Sequence, residues 1–447
     1  VKLVLLGGGG FRVPLVHGSL LADPDRLVDE LVLHDVDTAR LAAIEAVLDQ
    51  QARDAAWRPR LRVSTDLDTA LDGADVVFSA IRVGGLAGRT VDERVALAEG
   101  LLGQETVGVG GIAYTLRTVP VAVDLAHRVA RRAPDAWLIN FTNPAGAVTE
   151  AMSSVLGDRV IGICDSPVGL CRRVAATLGL DADRAWFDYV GLNHLGWLRA
   201  VLADGRDRLP ELLADDAALG SFEEGRLFAP EWLRALGAVP NEYLHYYYAT
   251  RETVAQIGTQ PATRGEYLRD QQEEFYRAVA AKPSSALATW QRTRAAREAS
   301  YLAEARAVTG TGERQSCDVS GGGYEEVALR LMHAIVGNRG ARMILNVRNR
   351  QGLAGLDTDA VVEVPCLVDA NGAHPVAAAP VDPHCAALMG AVKAAERDAI
   401  AAALTGSRAL ALRAVAGHPL VDSVAAGTRA LAGYLAAFPD LLRATRP

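Results

Sequence analysis

Cysteine is scarce: five in 447 residues (Cys164, Cys171, Cys317, Cys366 and Cys385), widely scattered and with no C-x-x-C pair. That excludes a disulfide framework and a compact structural zinc site, so the thiols are expected to be reduced. No run of about 18 uncharged apolar residues occurs, and position 1 leads straight into an apolar strand; neither a membrane span nor a secretory leader is expected. The default is a cytoplasmic protein. Basic charge is also short, since 46 Lys and Arg against 54 Asp and Glu leave a net charge of −8. Without a basic face the chain is not expected to bind nucleic acid, and any anion site must be local. No internal repeat is visible. What the chain does have is apolar content, 50% of residues, enough for two or three domains or one doubly wound domain with a large cap.

The first ten residues are the most informative. An apolar run from Val1 to Leu6 stops on Gly7, Gly8, Gly9 and Gly10, and Pro14 then opens a helical pattern. A buried strand, a glycine turn and a helix N-terminus together form the cradle for a dinucleotide pyrophosphate. The spacing departs from G-x-G-x-x-G, because Arg12 stands where the third glycine belongs. A glycine turn in an ordinary parallel α/β protein is the competing reading. A second apolar strand ends on Asp35, 28 residues beyond Gly7, about where a carboxylate meets the ribose hydroxyls. This favours NAD over NADP, with Arg40 downstream as a counter-signal.

Apolar strands alternate with helical patterns through position 165, at 2–6, 30–35, 61–65, 75–81, 136–141 and 159–164, with helices near 37–56, 91–100 and 116–132. This predicts an α/β fold with a doubly wound parallel sheet, whose ligands bind beyond the strand ends. Beyond Leu192 the pattern turns to long helices (about 240–256, 265–306, 322–337 and 382–434) around a small antiparallel sheet near 342–372. Residues 1–192 are therefore expected to form a dinucleotide-binding domain and 193–447 a mixed α+β domain for substrate binding and oligomerisation. The alanine-rich C-terminal helices suit either a subunit contact or a self-contained layer.

Several residues at the strand ends could carry chemistry. The stretch Arg82 to Arg89 reads as a glycine-rich loop gripping an anion, or as a solvated surface loop. Glu105, inside Gly103 to Gly111, could orient an acid or base or cap a helix starting near Ile112. Asn143, before Pro144, could cap the next helix or bind a hydroxyl. Cys164 and His194 follow separate apolar runs 30 residues apart; they are chance neighbours in sequence or two ligands of a transition metal with open positions. Aromatics make up only 6% of the chain, yet four tyrosines crowd positions 243–248. They form a packing stripe, or they supply a tyrosine that acts as base beside a cation.

Taken together, these motifs resemble glycoside hydrolase family 4, the NAD- and metal-dependent glycosidases, most closely its 6-phospho-β-glucosidases. The resemblance runs over Gly7 to Gly10 with Pro14, Gly84 to Arg89, Gly103 to Thr106 with Gly110 and Gly111, Asn140 to Pro144, Gly191 to Leu195 and Tyr243 to Tyr247. It implies a lactate/malate dehydrogenase-like architecture and a hydrolysis that is a recognised exception to the two-carboxylate scheme. In that family NAD⁺ oxidises sugar carbon 3, a base removes the acidified carbon 2 proton, the glycosidic oxygen leaves by elimination, water adds, and the hydride returns. A metal, usually Mn²⁺, bridges the oxygens on carbons 2 and 3.

Carried over by resemblance, Cys164 and His194 match the metal ligands, Tyr243 the base, and Glu105 a position that makes that base stronger. Arg89, Asn143 and Arg264 match substrate-binding positions. Asp165 matches an acid that assists the leaving group in the α-glucoside branch, whereas several β-branch members have Cys-Asn there. The cofactor set is Gly7, Gly8, Gly9, Gly10, Phe11, Arg12, Asp35 and Arg40. The implied substrate is a phosphorylated disaccharide or glucoside, although some members take unphosphorylated galactosides or glucuronides. A homodimer or homotetramer is expected. The main rival is an NAD-dependent hydroxy-acid dehydrogenase, which needs neither Cys164 nor a metal; a cofactor-sensing regulator is a second.

Overall fold

The computed structural model describes residues 1–314 and 323–443. Six strands form the parallel half of the sheet: β1 (Lys2–Leu6), β2 (Glu30–His34), β3 (Arg60–Ser64), β4 (Val76–Ser79), β5 (Trp137–Asn140) and β6 (Val160–Gly162), in the order β3-β2-β1-β4-β5-β6. The central ones, β1 and β4, are almost wholly buried and apolar apart from Lys2 and Ser79 at their ends, as strands covered by helices on both faces must be. Chain order reverses between β1 and β4, so the crevice for a ligand opens there. Gly7, Arg82, Asn143 and Cys164 all follow strand ends at this edge.

The second half does not form a separate small sheet, contrary to the sequence expectation. Strands β7 (Trp186–Leu192), β8 (Leu195–Ala203), β9 (Arg206–Asp207), β10 (Val239–Pro240), β11 (Ala341–Arg348), β12 (Val361–Asp369) and β13 (Gly372–Pro375) continue the same thirteen-stranded sheet, with antiparallel pairing. One residue pair makes each junction: Asn346 opposite Gly162 joins β11 to β6, and Glu363 opposite Gly191 joins β12 to β7. Gly162 is needed there, because a Cβ would lie 2.8 Å from that of Asn346 and 2.5 Å from Thr149 Oγ1. Asn346 Nδ2 donates to Glu363 at 2.8 Å, which ties β11 to β12 beside the seam.

Helix boundaries moved for identifiable reasons. The helix expected at 91–100 begins at Gly85 and runs to Ala98, putting Arg89 on a helix rather than in a loop. That expected at 116–132 begins at Gly108. The span 265–306 is broken into Arg264–Ala281, Ala286–Ala299 and Ala303–Thr309, with Pro283 between the first two and Leu302 at φ 52° before the last. Left-handed Gly406 ends the first of three C-terminal helices, Pro383–Thr405, Arg408–Ala416 and Val424–Ala437. Their alanines Ala399, Ala402, Ala411, Ala414 and Ala430 pack with Ile112, Leu116 and Val119 of Gly108–Arg132, so that face is used within the chain. Cys164, Cys171, Cys366 and Cys385 are free and buried; Cys317 lies outside the described residues. Among those residues no helix is long and apolar enough to cross a membrane.

Candidate active site

A cavity of about 570 Å³ opens at the strand ends, and most of the site residues expected from the sequence line it. Gly7 forms its floor at φ +84°; a Cβ there would lie 2.7 Å from the Ala80 carbonyl oxygen, so only glycine lets β1 and β4 meet at this turn. The helix Val13–Ala22 follows, with Pro14 in its first turn and no side chain capping it. Asp35 accepts from the Gly9 N–H at 3.0 Å and the Asp37 N–H at 3.1 Å, which fixes the β2 end against the glycine turn. Tyr276 donates to the Gly9 carbonyl at 2.7 Å, and the Arg40 guanidinium lies 4.9 Å from the Tyr276 ring centre. Phe11 is buried, edge-on to Phe275, and contributes packing. The glycine turn and an uncapped helix N-terminus fit a dinucleotide pyrophosphate.

His194 sits at the tip of the two-residue turn joining β7 to β8, with Leu192 paired to Leu195 on either side. Its φ of 62° is rare for a residue with a Cβ, and strain of this kind persists only where the surroundings impose it. The ring is buried, its Nδ1 is 2.9 Å from Thr106 Oγ1, and it stacks on Tyr243 with centroids 3.6 Å apart and planes within 6°. Burial pulls its pKa to about 4, so the imidazole is neutral near pH 7 and Nε2 is the nitrogen left for a cation. Cys164, at the end of β6, lines the same cavity; burial pushes its thiol well up, with Glu363 and Asp165 adding to the effect. A soft sulfur and a neutral imidazole fit a divalent transition metal, whose charge would reverse that thiol shift.

Arginines dominate the rest of the wall. Arg89 donates to Glu93 at 2.7 Å and to Glu105 at 2.6 Å, and Arg82 takes the second oxygen of Glu105. Burial opposes the Glu105 charge, but Arg82 and Arg89 prevail and bring its pKa to about 2. Arg12 lies over Phe141 and Tyr324, its charge favoured by Asp165 against the cost of burial. Arg264 opens a helix fixed by the Thr263–Glu266 capping box and gives its hydrogen bonds to Ser300 Oγ at 2.6 Å and the Arg297 carbonyl at 3.0 Å. Neither Arg264 nor Arg297 forms an ion pair among the described residues. Burial first, then Arg12, Arg264, Arg89 and Arg82, hold the Arg297 pKa well below the usual arginine value. Two guanidiniums without an ion pair among the described residues, one of them in the first turn of a helix, suit a doubly charged anion.

Asn143 is not the helix cap. Ala145 N–H donates instead to Asn193 Oδ1 at 3.2 Å, while Asn143 Oδ1 is buried without a partner among the described residues and the residue lines the cavity. Burial, with Glu242 next, raises the Tyr243 phenol well above its usual pKa, so it is protonated until positive charge arrives beside it. Glu105 is taken by the two arginines; the group that contacts the Tyr243 hydroxyl is Tyr301, at 3.2 Å. Thr106 had a signal, being inside a quoted motif. Arg297 and Tyr301 had none, because they come from a helix end with no distinctive spacing.

Within such a sheet, this glycine cradle with its Cys, His and Tyr set defines a cofactor-binding enzyme of the doubly wound class. The comparisons with known proteins narrow it. Residues 2–180 match the description Family 4 glycosyl hydrolase, and residues 189–421 match its C-terminal domain. The chain belongs to that family and is a glycosidase, not a hydroxy-acid dehydrogenase. It is 32% identical over 388 residues to a 6-phospho-β-glucosidase of Escherichia coli (strain K12), covering 84% of this chain and 81% of the other. To a maltose-6′-phosphate glucosidase of Bacillus subtilis (strain 168) it is 29% identical over 392 residues, 84% and 82% of the two chains. It superposes on the 6-phospho-β-glucosidase of Thermotoga maritima, solved with manganese, NAD⁺ and glucose 6-phosphate, with TM-score 0.82, 26% identity and full coverage of both chains.

Proposed function

We propose that this enzyme hydrolyses 6-phospho-β-glucosides by transient oxidation and elimination, with NAD⁺ and Mn²⁺ bound in the cavity. When bound, the pair supplies reversible oxidation at sugar carbon 3 and positive charge over the oxygens of carbons 2 and 3. Cys164 and His194 hold the metal, and Thr106 fixes the imidazole. Gly7 to Gly10, with the backbone of Phe11 and Arg12, wrap the pyrophosphate, while the Phe11 ring packs behind them; Asp35 and Arg40 border the ribose. Tyr243 takes the carbon 2 proton. Asp165 hands a proton to the departing oxygen, Asn143 accepts from a sugar hydroxyl, and Glu105 keeps Arg89 aligned. Arg264 and Arg89, together with Arg297, receive the phosphate.

One observation carries the reading: His194, strained at a hairpin tip, lies flat against Tyr243 in the cavity that also holds Cys164. A metal ligand and a base in van der Waals contact suit proton removal next to a metal-bound oxygen. A second reading, cleavage of 6-phospho-α-glucosides, is favoured by Asp165 beside Cys164, and elimination does not require displacement at carbon 1. Phosphorylated sugars do not cross membranes unaided, which suits a cytoplasmic site of action. The 1–192 and 193–447 division and a homodimer or homotetramer remain part of the same proposal.

The test offers nitrophenyl α- and β-glucosides, with and without a 6-phosphate, in the presence of Mn²⁺, NAD⁺ and reductant. Nitrophenol release from a phosphorylated glucoside, with solvent deuterium entering carbon 2, is expected. Full-speed release after removal of NAD⁺ and metal would overturn the proposal.

A further inference from the structure

Glu242 is buried against the cavity, and the reading above gives it no task. Its Oε1 accepts from Ser166 Oγ at 2.6 Å and from the Tyr301 hydroxyl at 3.3 Å, while Oε2 has no partner among the described residues. The same Tyr301 hydroxyl is 3.2 Å from that of Tyr243. A phenol has one proton to give and lone pairs to receive with. Tyr301 can therefore donate to Glu242 while accepting from Tyr243, or turn its proton to the Tyr243 oxygen once that oxygen has lost its own. In both arrangements it contacts the reacting oxygen of Tyr243.

Stacking on His194 fixes the plane of the Tyr243 ring but not the direction of its hydroxyl within that plane. A flat contact resists tilting and permits sliding and in-plane rotation. A directional hydrogen bond is the restraint that closes this freedom, and Tyr301 supplies it from an anchored position. Proton removal needs the base within hydrogen-bond reach of its target, so an unrestrained hydroxyl spends less time in register.

We propose that Tyr301, anchored by Glu242, is the positioning residue that aims the Tyr243 hydroxyl at substrate carbon 2, a role that rests on the reading of Tyr243 as the base. The carbon 2 proton passes to the Tyr243 oxygen in its phenolate form, and the electron pair of the broken C–H bond moves toward the carbon 3 carbonyl; Tyr301 and Glu242 act through the Tyr243 oxygen.

The test measures exchange of the carbon 2 proton with solvent deuterium and the isotope effect of carbon-2-deuterated substrate, using full-length enzyme with Mn²⁺ and NAD⁺. In Tyr301→Phe, exchange and kcat fall by about 10- to 100-fold, KM stays within about threefold, and the isotope effect grows as proton removal becomes limiting. Glu242→Leu reproduces that loss. Glu242→Gln, whose amide oxygen still accepts from Ser166 and Tyr301, recovers to within about threefold of wild type. Melting temperature and NAD⁺ binding by fluorescence identify any variant that has merely unfolded, and the Gln and Leu pair then carries the comparison. Wild-type exchange in Tyr301→Phe overturns the proposal, as does Glu242→Gln behaving like Glu242→Leu. If instead Tyr243→Phe retains exchange, the base assignment itself fails and takes this role with it; if Tyr243→Phe abolishes exchange while Tyr301→Phe does not, only the positioning role is lost.

Discussion

Replacing Arg297 with methionine sets stability against function. In the free protein its guanidinium has no ion pair among the described residues and faces Arg12, Arg264, Arg89 and Arg82. An uncompensated charge in a partly desolvated wall costs a few kcal/mol, and methionine keeps most of the stem while removing the charge; a gain of about 2 kcal/mol is expected. At about 2.1 cal/mol/K per residue, unfolding 447 residues carries an entropy of roughly 0.9 kcal/mol/K, so the melting temperature rises by about 2 °C. With a sugar phosphate bound the sign reverses. A charge-assisted hydrogen bond to phosphate contributes about 1.5–3 kcal/mol, so kcat/KM for a 6-phosphorylated glucoside drops roughly 10- to 150-fold. An unphosphorylated glucoside loses less than about threefold. Thermal melts with and without glucose 6-phosphate, beside kinetics on both substrates, read the two effects separately. A variant that melts below wild type without ligand, or loses both activities equally, refutes the reasoning.

Thr106→Val removes the hydrogen bond that holds His194 Nδ1 and frees the ring to change tautomer; Mn²⁺ affinity by titration falls about 10- to 100-fold, with NAD⁺ affinity unchanged. Asp35→Ala loses the link to Gly9 and the carboxylate proposed for the ribose, so the Kd for NAD⁺ rises about tenfold or more while that for glucose 6-phosphate holds; equal weakening of both removes the ribose role. Burial of His418 lowers its pKa from 6.5 to about 4. Below 6.5 the unfolded chain takes a proton that the folded ring refuses, so stability declines as pH falls through this window, by up to roughly 3 kcal/mol. In His418→Leu, denaturant titrations at stepped pH show a slope shallower by about one proton near pH 5, and an unchanged slope contradicts the assignment.

The parallel half was legible because most of its strands are short, predominantly apolar and separated by helices, a pattern that local sequence carries by itself. The seam was not. Asn346 opposite Gly162 and Glu363 opposite Gly191 are single pairings between residues 184 and 172 positions apart, and no periodicity announces them. Cys164, His194 and Tyr243 could be picked out because each follows a strand or lies in an aromatic cluster. Asn143 was ambiguous between cap and ligand until Asn193 proved to occupy the cap. Arg82 to Arg89 looked like a loop because its three glycines mask a helix start: Gly84 takes the left-handed turn, and Gly85 begins the helix. Arg297 and Tyr301 acquire meaning only when the turn after Ala299 folds back over the cavity.

That late-arriving wall also explains why the site can hold a base without exposing it. Burial and the nearby Glu242 charge keep the Tyr243 phenol protonated, and burial keeps the Cys164 thiol protonated as well. On the proposed reading both shifts would be reversed by the same thing, a divalent cation held by Cys164 and His194. Four of the cavity's arginines do not take its place: Arg82 and Arg89 hold Glu105, and Arg89, Arg264 and Arg297 are assigned to the phosphate. On the proposed reading, base strength therefore appears only when metal and sugar are assembled together, and a loosely bound sugar meets a neutral phenol that leaves its carbon 2 proton in place.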